Sequence, residues 1–406
     1  MNDAPSPTAP AWSESDRRHM ADALALAEQG FGLTDPNPRV GCVLTRPDGQ
    51  VLGRGHTQQA GGPHAEVMAL RDARAQGASD SDLRGATAYV TLEPCAHHGR
   101  TPPCVEALLA AGIGRAVVAL RDPFPQVAGH GLARLAAAGV QVELGLGAEG
   151  ALEQNPGFFS RVLRQRPWVR MKVAVSLDGR TALPDGRSQW ITGEAARRDG
   201  HAWRRRAGAV LTGSGTLRQD DPRLDVRLVP TARQPLRVLL SSRLNLPPAA
   251  RLLQPPGPVR IYTRADSVWP GDGPAIPAIP TVPAIPTVPS PDGIELRRVR
   301  HDPAGALALD EVLEDLARSG INELHLEAGA TLNGAFVRAD LIDEWLVYLA
   351  PMLVGEGRGL ADIGRLPGLD AAPRLHLEDV CRLGEDLRLR ARPPGRDAWL
   401  RALAAT

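Results

Sequence analysis

Lysine is almost absent from this chain of 406 residues, in which Lys172 is the only one. So strong a preference for arginine reflects genome composition rather than function. The single remaining lysine is a candidate for a functional role, although a chance surface position explains it equally well from this observation alone. Its sequence neighbours must decide between the two explanations.

Long apolar runs and signal-like segments are absent as well. The chain has no stretch of about 18 or more uncharged apolar residues, and its first residues lack the basic and apolar regions of a signal peptide. The formal net charge is +1, without a basic block, which argues against a protein that follows nucleic acid by bulk electrostatics. We therefore expect a cytoplasmic protein that binds small molecules and neither nucleic acid nor a membrane.

Cysteine is too scarce for a disulfide framework in a chain of this length. The four cysteines are Cys42, Cys95, Cys104 and Cys381, and only Cys95 and Cys104 are close in sequence. We therefore expect metal binding or thiol chemistry from that pair.

Hydrophobic patterning divides the chain into two domains in which strands alternate with helices, the second with a mostly parallel sheet. The predicted segments are a disordered tail (1–13), the first α/β domain (14–150), a helical connector (151–166), the second α/β domain (167–395) and a C-terminal tail (396–406). Proline recurs at every third position between residues 274 and 289, so residues 271–293 are polyproline-like and cannot be a central strand. A tolerated loop insertion is favoured over a docking site for a proline-reading partner.

A histidine, a glutamate and two cysteines form a pattern typical of zinc deaminases. "PHAE" supplies His64 and Glu66 at the predicted start of a helix, and "EPCAHHGRTPPC" supplies Cys95 and Cys104. Zinc prefers imidazole and thiolate ligands, and a catalytic site keeps three of them with a fourth position open for water. In such deaminases the glutamate is not a ligand but moves the proton of the attacking water to the leaving ammonia. The alternative, a solvated helix start and two buried cysteines, explains each piece alone but not their combination.

The spacing of the two cysteines, C-x8-C, differs from the C-x-x-C of nucleoside and tRNA deaminases. With "DPNPRVGCV" before it and "RDPFPQVAGHG" after it, this half of the chain resembles the deaminase half of the bifunctional riboflavin biosynthesis deaminase-reductases (RibD type). The resemblance implies that Asn37, His56, Arg100 and Asp122 contact the pyrimidine and its ribose 5-phosphate. A guanidinium suits the phosphate, and amide and carboxylate groups suit the edge of an aminopyrimidinone. Taken alone, Asn37 and Asp122 each precede a proline and are also ordinary turn residues.

The second domain lacks a G-x-G-x-x-G motif after its first predicted strand, which argues against a Rossmann dinucleotide site. Two other stretches, "LTGSGTLRQDDPRLDVR" and "LEAGATLNGAF", each run from a strand through a glycine-flanked turn into a helix. Such turns present backbone N–H groups to phosphates. One such turn is a weak indication of a dinucleotide, and two in one domain make a dinucleotide as plausible as its absence.

Together with "MKVAVSLDGR" and "SQWITG", these stretches resemble in order the reductase half of the same family, which has a dihydrofolate reductase-like fold and uses NADPH. The resemblance extends from about residue 15 to about residue 392. It implies an NADPH site lined by Ala174, Trp190, Thr216, Asp220, Ser242, Gly329, Ala330, Thr331, Leu332, Asn333, Gly334 and Ala335. It implies a substrate site formed by Lys172, Ser188, Arg204, Arg227 and Glu327. Lys172 would point at the substrate or at Glu327. Guanidinium groups suit a phosphorylated substrate. Without the resemblance, Arg204 is also an ordinary helix end and Trp190 an ordinary core residue.

The chain departs from the family pattern at two positions of this second domain. Ala328 replaces the usual first glycine of Glu-Gly-Gly, which a methyl group tolerates unless the position needs a positive φ. Ser241 replaces the usual aspartate beside Ser242, which puts the cofactor contact there in question. Arg243, next to them, is a candidate for the 2′-phosphate of NADPH, although arginines at the end of a strand usually face water.

The sequence therefore predicts a cytidine deaminase-like three-layer domain followed by a dihydrofolate reductase-like α/β domain, with one zinc ion in the first and NADPH in the second. The expected reactions are the hydrolytic deamination of 2,5-diamino-6-(5-phosphoribosylamino)pyrimidin-4-one and the reduction of its ribosyl group to ribityl. A homo-oligomer, dimer or tetramer, formed through the reductase domain is a further family expectation. Two alternatives remain: a nucleoside or tRNA deaminase with a non-catalytic second domain, and a scaffold that retains zinc for stability. The cysteine spacing argues against the first and Glu66 against the second.

Overall fold

A computed structural model of the chain describes residues 12–97, 102–124, 127–247, 249–254, 256–267 and 293–404. These residues cluster into two compact units that divide between Leu163 and Arg164, and the residues from Ala398 onward cluster with the first. Arg100, the proline repeat and the tail before Trp12 lie outside the described residues. Among those that are described, no helix has the length and apolar character needed to cross a membrane.

The first unit contains a five-stranded sheet with helices packed against it. Its strands are β1 (Gly41–Thr45), β2 (Val51–His56), β3 (Thr87–Val90), β4 (Arg115–Val118) and β5 (Gln141–Leu144). Its helices are α1 (Glu14–Ala27), α2 (Ala65–Ala75), α3 (Asp80–Leu83), α4 (Cys104–Ala110), α5 (His130–Ala137), α6 (Ala148–Gln154) and α7 (Pro156–Arg164). The strand order is β2-β1-β3-β4-β5; β1 is antiparallel to both of its neighbours, and β3, β4 and β5 are parallel.

Glycines in β1 and β2 show that α1 and α2 cover opposite faces of this sheet. A Cβ on Gly41 would lie 1.8 Å from the carbonyl oxygen of Ala23 in α1, and a Cβ on Gly55 would lie 2.3 Å from the carbonyl oxygen of Ala65 in α2. Gly55 pairs with Cys42, the neighbour of Gly41, and successive residues of a strand face opposite sides. The predicted three-layer arrangement is therefore confirmed, and the absence of side chains lets α2 lie directly on β2.

The predicted connector is helical, as α6 and α7, but it belongs to the first unit. Phe158 and Phe159 are buried in the hydrophobic core of that unit, because the helix turns its aromatic residues toward the sheet. Asn155, between the two helices, exchanges hydrogen bonds with the backbone of Arg39 at 2.8 and 2.9 Å. The connector is thus part of the hydrophobic core of the first unit and not an exposed linker.

The second unit contains a nine-stranded sheet and a two-stranded ribbon. Its strands are β6 (Trp168–Ser176), β7 (Arg180–Ala182), β8 (Ala209–Gly213), β9 (Leu236–Leu240), β10 (Val259–Arg264), β11 (Ile294–Val299), β12 (Glu323–Leu326), β13 (Glu344–Ala350), β14 (Arg358–Gly359), β15 (His376–Leu383) and β16 (Asp386–Arg392). Its helices are α8 (Glu194–Arg206), α9 (Ser214–Asp220), α10 (Leu309–Arg318) and α11 (Ala330–Arg338). The large sheet has the order β11-β10-β9-β8-β12-β6-β13-β16-β15 and is parallel from β11 to β13, with β16 and β15 antiparallel.

Two parts of the sequence interpretation differ from the structure. The strand β11 was not predicted, because charged residues such as Glu295 and Arg297 interrupt its apolar pattern at the edge of the sheet. The predicted C-terminal tail contains the short helix α12 (Ala398–Arg401), whose Leu400 is buried in the core of the first unit. An apolar side chain of this size gains about 1.5–3 kcal/mol by leaving water, which explains why these last residues are packed.

Candidate functional site

The described residues predicted to bind zinc and the pyrimidine lie at one edge of the sheet of the first unit. Because β1 is antiparallel to both β2 and β3, the strands β2, β3 and β4 run in the same direction and end at the same edge. His56 ends β2, Cys95 follows β3, and Asp122 follows β4. The helix α2 also begins here, after the loop that leaves β2. The order of strands thus assembles residues that are up to 66 positions apart in sequence.

Three side chains at this edge form a group that can hold a metal ion: His64, Cys95 and Cys104. His64 Nδ1 lies 3.7 Å from Cys95 Sγ and 3.3 Å from Cys104 Sγ. Zinc bonds of about 2.0–2.3 Å in a tetrahedron place the ligand atoms about 3.5 Å apart, so the observed separations fit one zinc ion. Among the described histidines, cysteines and carboxylates, no other group of this kind occurs.

The start of α4 favours a thiolate at Cys95, whereas Cys104 keeps its proton in the absence of a metal. Cys104 is the first residue of that helix, and its backbone N–H donates to Cys95 Sγ at 3.4 Å. Hydrogen bonding from the Cys104 thiol lowers the pKa of Cys95, and the same hydrogen bond raises the pKa of Cys104. Hydrogen bonding to Cys95 raises the pKa of His64. Both cysteines were predicted to lie at or near a helix start. In the structure Cys95 lies in a loop nine residues before Cys104 and contacts the start of α4 through its side chain.

Glu66 lies beside this group without being part of it. It is the second residue of α2, yet only 3% of it is exposed, because this side of the helix faces the protein interior. Burial raises the pKa of Glu66 to about 7. A carboxyl group whose pKa is near the working pH is suited to accepting and returning a proton. An ordinary helix start would instead leave this side chain in water.

The predicted contacts of the pyrimidine surround the same edge where the structure describes them. Asn37 and His56 are half-buried, and burial lowers the pKa of His56. Asp122 is buried, its Oδ1 accepts the N–H of Phe124 at 2.8 Å, and burial raises its pKa to about 7. Arg100, the predicted phosphate ligand, lies outside the described residues.

The two glycine-flanked turns predicted to bind a dinucleotide lie side by side in the second unit, where the strand order of the large sheet changes direction. The strands β8 and β12 are neighbours, but the chain continues from β8 toward β9 on one side and from β12 toward β13 on the other. Ligands of parallel α/β sheets bind in the crevice outside the carboxyl ends of such strands. The helices α9 and α11 begin directly after β8 and β12, so their free N–H groups lie at this crevice and suit the pyrophosphate of NADPH.

The predicted NADPH residues are distributed around this crevice. A Cβ on Gly329 would lie 3.6 Å from Thr216 Oγ1 and one on Gly213 would lie 3.0 Å from the Leu332 side chain, so the two helix starts are in contact. Ser242 follows β9, and its carbonyl oxygen accepts the hydroxyl of Ser267 at 2.7 Å. The remaining predicted cofactor residues lie on β6, in the loop before α8, at the end of α9 and in the first turns of α11: Ala174, Trp190, Asp220, Ala330, Thr331, Asn333, Gly334 and Ala335.

Asn333 and Gly334, two of the predicted cofactor residues, also stabilise the packing of α11. Asn333 donates its side-chain amide to the carbonyl oxygens of Ala328 and Leu360 at 3.0 and 2.8 Å. A Cβ on Gly334 would lie 1.8 Å from the carbonyl oxygen of Asp362, so only glycine fits there. Ala328 does not adopt a positive φ, so its methyl group is tolerated in place of the usual glycine.

A cavity of about 390 Å³ in the second unit contains five of the predicted side chains. They are Lys172, Trp190, Arg204, Arg227 and Glu327. Ser188 was predicted for the substrate and Asp220 for the cofactor; they contact each other, because the Ser188 hydroxyl donates to Asp220 Oδ1 at 3.2 Å. The two predicted sets thus adjoin, as hydride transfer requires.

Arg204 and Glu327 form an ion pair in this cavity, whereas Lys172 has no such partner among the described residues. Glu327 receives two hydrogen bonds from Arg204, at 2.5 and 2.8 Å, and Arg204 also donates to the carbonyl oxygen of Asp225 at 3.0 Å. Burial opposes ionisation of Glu327, but the positive charge and hydrogen bonds of Arg204 outweigh it and hold the pKa well below its usual value. Glu327 is thus paired with Arg204, and Lys172 forms no ion pair within 4.0 Å among the described residues. Desolvation lowers the pKa of Lys172. Lys172 is therefore a half-buried cation whose charge is not balanced by a direct partner.

Sequence reasoning missed several residues that line the cavity, among them His201 and Tyr348. His201 accepts the backbone N–H of Arg227 at Nδ1, at 3.2 Å, and burial, together with the charges of Arg204 and Arg227, lowers its pKa to about 4. His201 is therefore neutral at pH 7 and carries its proton on Nε2. The spacing of Arg197, His201 and Arg204 at i, i+4 and i+7 on α8 was the available signal, since such residues share one helix face.

The comparisons with known proteins divide the chain in the same way. Residues 13–120 match the family described as the cytidine and deoxycytidylate deaminase zinc-binding region, and residues 167–389 match the RibD C-terminal domain. The riboflavin biosynthesis protein RibD of Escherichia coli (strain K12) is 42% identical over 391 residues, covering 92% of this chain and 98% of that protein.

Solved structures show the same similarity over both units. Acinetobacter baumannii RibD, form 1, is 39% identical with a TM-score of 0.79, covering 94% of this chain and 99% of that one. A Thermotoga maritima protein described as a diaminohydroxyphosphoribosylaminopyrimidine deaminase and 5-amino-6-(5-phosphoribosylamino)uracil reductase is 30% identical with a TM-score of 0.80, covering 93% of this chain and 99% of that one.

Proposed function

This chain belongs to the RibD family of bifunctional deaminase-reductases of riboflavin biosynthesis, and from this premise we propose which of its residues perform the two reactions. The chain deaminates 2,5-diamino-6-(5-phosphoribosylamino)pyrimidin-4-one in its first unit and reduces the ribosyl group to ribityl in its second. The first reaction uses zinc and the second uses NADPH. The observation that carries the assignment is the convergence of three metal ligands beside a buried glutamate that does not join them.

In the first unit, His64, Cys95 and Cys104 would hold the zinc ion, which supplies Lewis-acid chemistry and makes water a better nucleophile at neutral pH. Glu66 takes the proton of the attacking water and returns it to the amino group that leaves as ammonia. Asn37, His56 and Asp122 hold the edge of the aminopyrimidinone, which the position of all three around the same sheet edge supports. Arg100 is proposed for the phosphate on family resemblance alone.

In the second unit, the starts of α9 and α11 would hold NADPH, which supplies the hydride for the sugar C1. Arg227 and Glu327 bind the substrate in the cavity, and Ser188 binds it beside the proposed cofactor residue Asp220. The hydrogen bonds between Arg204 and Glu327 support an additional part for Arg204: it balances the carboxylate, so that Lys172 keeps an unpaired charge toward the substrate.

A homo-oligomer, dimer or tetramer, formed through the second unit and a cytoplasmic location are parts of the same proposal. The edge strand β15 supports the first, because Leu377 and Val380 on it are 64% and 54% exposed and an open strand edge can accept another strand. The zinc site supports the second, because its thiolate ligands persist in a reducing compartment. The expected partners are small phosphorylated molecules, not nucleic acid or a membrane.

Zinc removal should separate the two activities. With purified protein, NADPH and the diamino substrate, we expect ammonia release followed by NADPH consumption. After chelation both should stop, because the second unit then receives no substrate, and addition of the deaminated intermediate should restore NADPH consumption alone. The measurement is ammonia and NADPH followed separately, with metal analysis before and after. Ammonia release at the original rate from metal-free protein would disprove the deaminase assignment.

Replacing Gly334 by alanine should weaken NADPH binding. The added Cβ would lie 1.8 Å from the carbonyl oxygen of Asp362, so α11 must shift, at a cost of about 1–3 kcal/mol in the free energy of unfolding. Gly359→Ala is the matched control, since a Cβ there meets nothing within 4 Å and its φ is not positive. NADPH titration and thermal unfolding of both variants test this, and equal NADPH affinities would contradict the proposed position of the cofactor.

A further inference from the structure

One buried carboxylate, that of Glu93, accepts four backbone N–H groups from the segment that follows β4. Its Oε1 accepts from Gly131 at 2.8 Å and from Leu132 at 3.2 Å. Its Oε2 accepts from Gly129 at 2.9 Å and from Asp122 at 3.2 Å. Only 4% of Glu93 is exposed. A charged acceptor with this many donors is strongly directed, because each of these hydrogen bonds is charge-assisted.

The segment is packed directly against Glu93 and the proline that follows it. A Cβ on Gly131 would lie 2.1 Å from the carbonyl oxygen of Pro94 and 3.1 Å from Glu93 Oε1. Gly129, the residue before α5, has a φ of 86°, a conformation that favours glycine. The backbone N–H of Glu93 also donates to the carbonyl oxygen of Leu120 at 2.9 Å. The two glycines of "VAGHG" therefore let the chain wrap around this carboxylate.

Glu93 also stands between two parts of the deaminase site. It precedes the zinc ligand Cys95 by two residues, and it holds the backbone of Asp122, which we assign to the pyrimidine. Oδ1 of Asp122 is occupied by the N–H of Phe124 at 2.8 Å, so Oδ2 is the oxygen left for the substrate. The distance between the zinc ligand Cys95 and this oxygen therefore depends on the hydrogen bonds between Glu93 and the segment after β4.

We propose that Glu93 is the positioning residue that fixes Asp122 relative to the zinc ligands, so that the substrate carbon bearing the amino group is presented to the metal. This inference rests on the proposed role of Asp122. Glu93 touches neither substrate nor metal. It acts through the backbone N–H groups of Asp122 and of residues 129–132.

The test is Glu93→Gln in the full-length protein. The amide keeps one oxygen that can accept hydrogen bonds but turns an NH₂ group toward two N–H donors, so the segment must shift. We expect deaminase kcat/KM to fall on the order of 10²-fold, mostly through KM, because misplacement of about 1 Å has effects of that size. Zinc content and reductase activity should be unchanged. Glu149→Gln, a change of an exposed residue on α6, is the matched control and should have no effect.

Further variants separate this inference from the assignment on which it rests. If Asp122→Asn leaves the deaminase unchanged, the role of Asp122 in the proposed function is wrong. If Asp122→Asn raises KM and Glu93→Gln does not, only the present inference is wrong. If both raise KM, the double variant should show little more loss than Asp122→Asn, since the two residues act as one unit.

Two other outcomes would also overturn the inference. A loss of zinc from Glu93→Gln would mean that Glu93 supports Cys95 instead of Asp122. A lower melting temperature with unchanged KM would mean that it only stabilises the start of α5. Should the glutamine variant fail to fold, Glu93→Asp retains the charge and both acceptor oxygens on a shorter side chain, and the same rise in KM is expected from it.

Discussion

Glu66→Gln is expected to lower the rate of ammonia release by about 10²- to 10⁴-fold, the usual contribution of a positioned acid or base. Glutamine has the same shape but cannot take the proton of the attacking water or return it to the leaving amino group. Glu66 is not a metal ligand, so the variant should still bind one zinc ion. The second unit should reduce deaminated substrate at the original rate. Ammonia release, metal analysis and NADPH consumption measure the three quantities.

A matched control for this variant is Glu106→Gln. Glu106 also lies in the first turn of a helix, α4, but its side chain is 40% exposed and forms a surface ion pair with Arg134. Its replacement should leave ammonia release unchanged, because exposed pairs contribute little. If Glu66→Gln released ammonia within a few-fold of the original rate, another group would have to move the proton and the assignment of Glu66 would be wrong.

The metal site was predictable because its pattern is local in sequence and its chemistry is restrictive. His64 and Glu66 lie two residues apart, and Cys95 and Cys104 lie nine residues apart, so the long-range step is the meeting of these two segments at one sheet edge. The alternation of strands and helices makes that meeting an expected one. The buried position of Glu66 was not predictable in detail, since it depends on glycines in β2 that let α2 approach the sheet.

The reductase cavity was only partly predictable. The resemblance assigned Arg204 to the substrate, whose phosphate suits a guanidinium, but in the structure Arg204 binds Glu327, which is 123 residues away. Tyr348 lies on the strand neighbouring that of Lys172, and its pattern in sequence is that of an ordinary buried aromatic residue. The roles of Arg204 and Tyr348 depend on contacts between elements that are distant in sequence, and no local sequence pattern predicts those contacts.

Lys172→Met is expected to lower the reductase rate on the order of 10²-fold or more and to leave ammonia release unchanged. Reduction of the ribosyl group adds a hydride and a proton. Lys172 is a half-buried cation of the cavity without a carboxylate bound to it, its Nζ lies 5.7 Å from the centre of the Tyr348 ring, and desolvation lowers its pKa from 10.5. An ammonium group with a lowered pKa releases its proton more easily. NADPH consumption with deaminated substrate measures the effect.

The arginine variant distinguishes proton donation from binding. Lys172→Arg retains the positive charge but cannot release a proton at neutral pH, so we expect a KM close to the original with a low kcat, whereas Lys172→Met should impair both. A kcat for Lys172→Arg near the original value would show that only the charge matters and would contradict proton donation.

The scarcity of lysine makes the pKa of Lys172 directly measurable. Because Lys172 is the only lysine in the chain, reductive methylation with ¹³C-formaldehyde should label one side chain besides the α-amino group. The Lys172→Met variant identifies its NMR signal by loss. Titration should give a pKa below 10.5, because burial and the charge of Arg204 disfavour the ammonium form more than Glu327 favours it. Glu327→Gln should lower this pKa further, since it removes the negative charge near Lys172. A pKa at or above 10.5 in the original protein would contradict both the burial of Lys172 and its use as a proton donor.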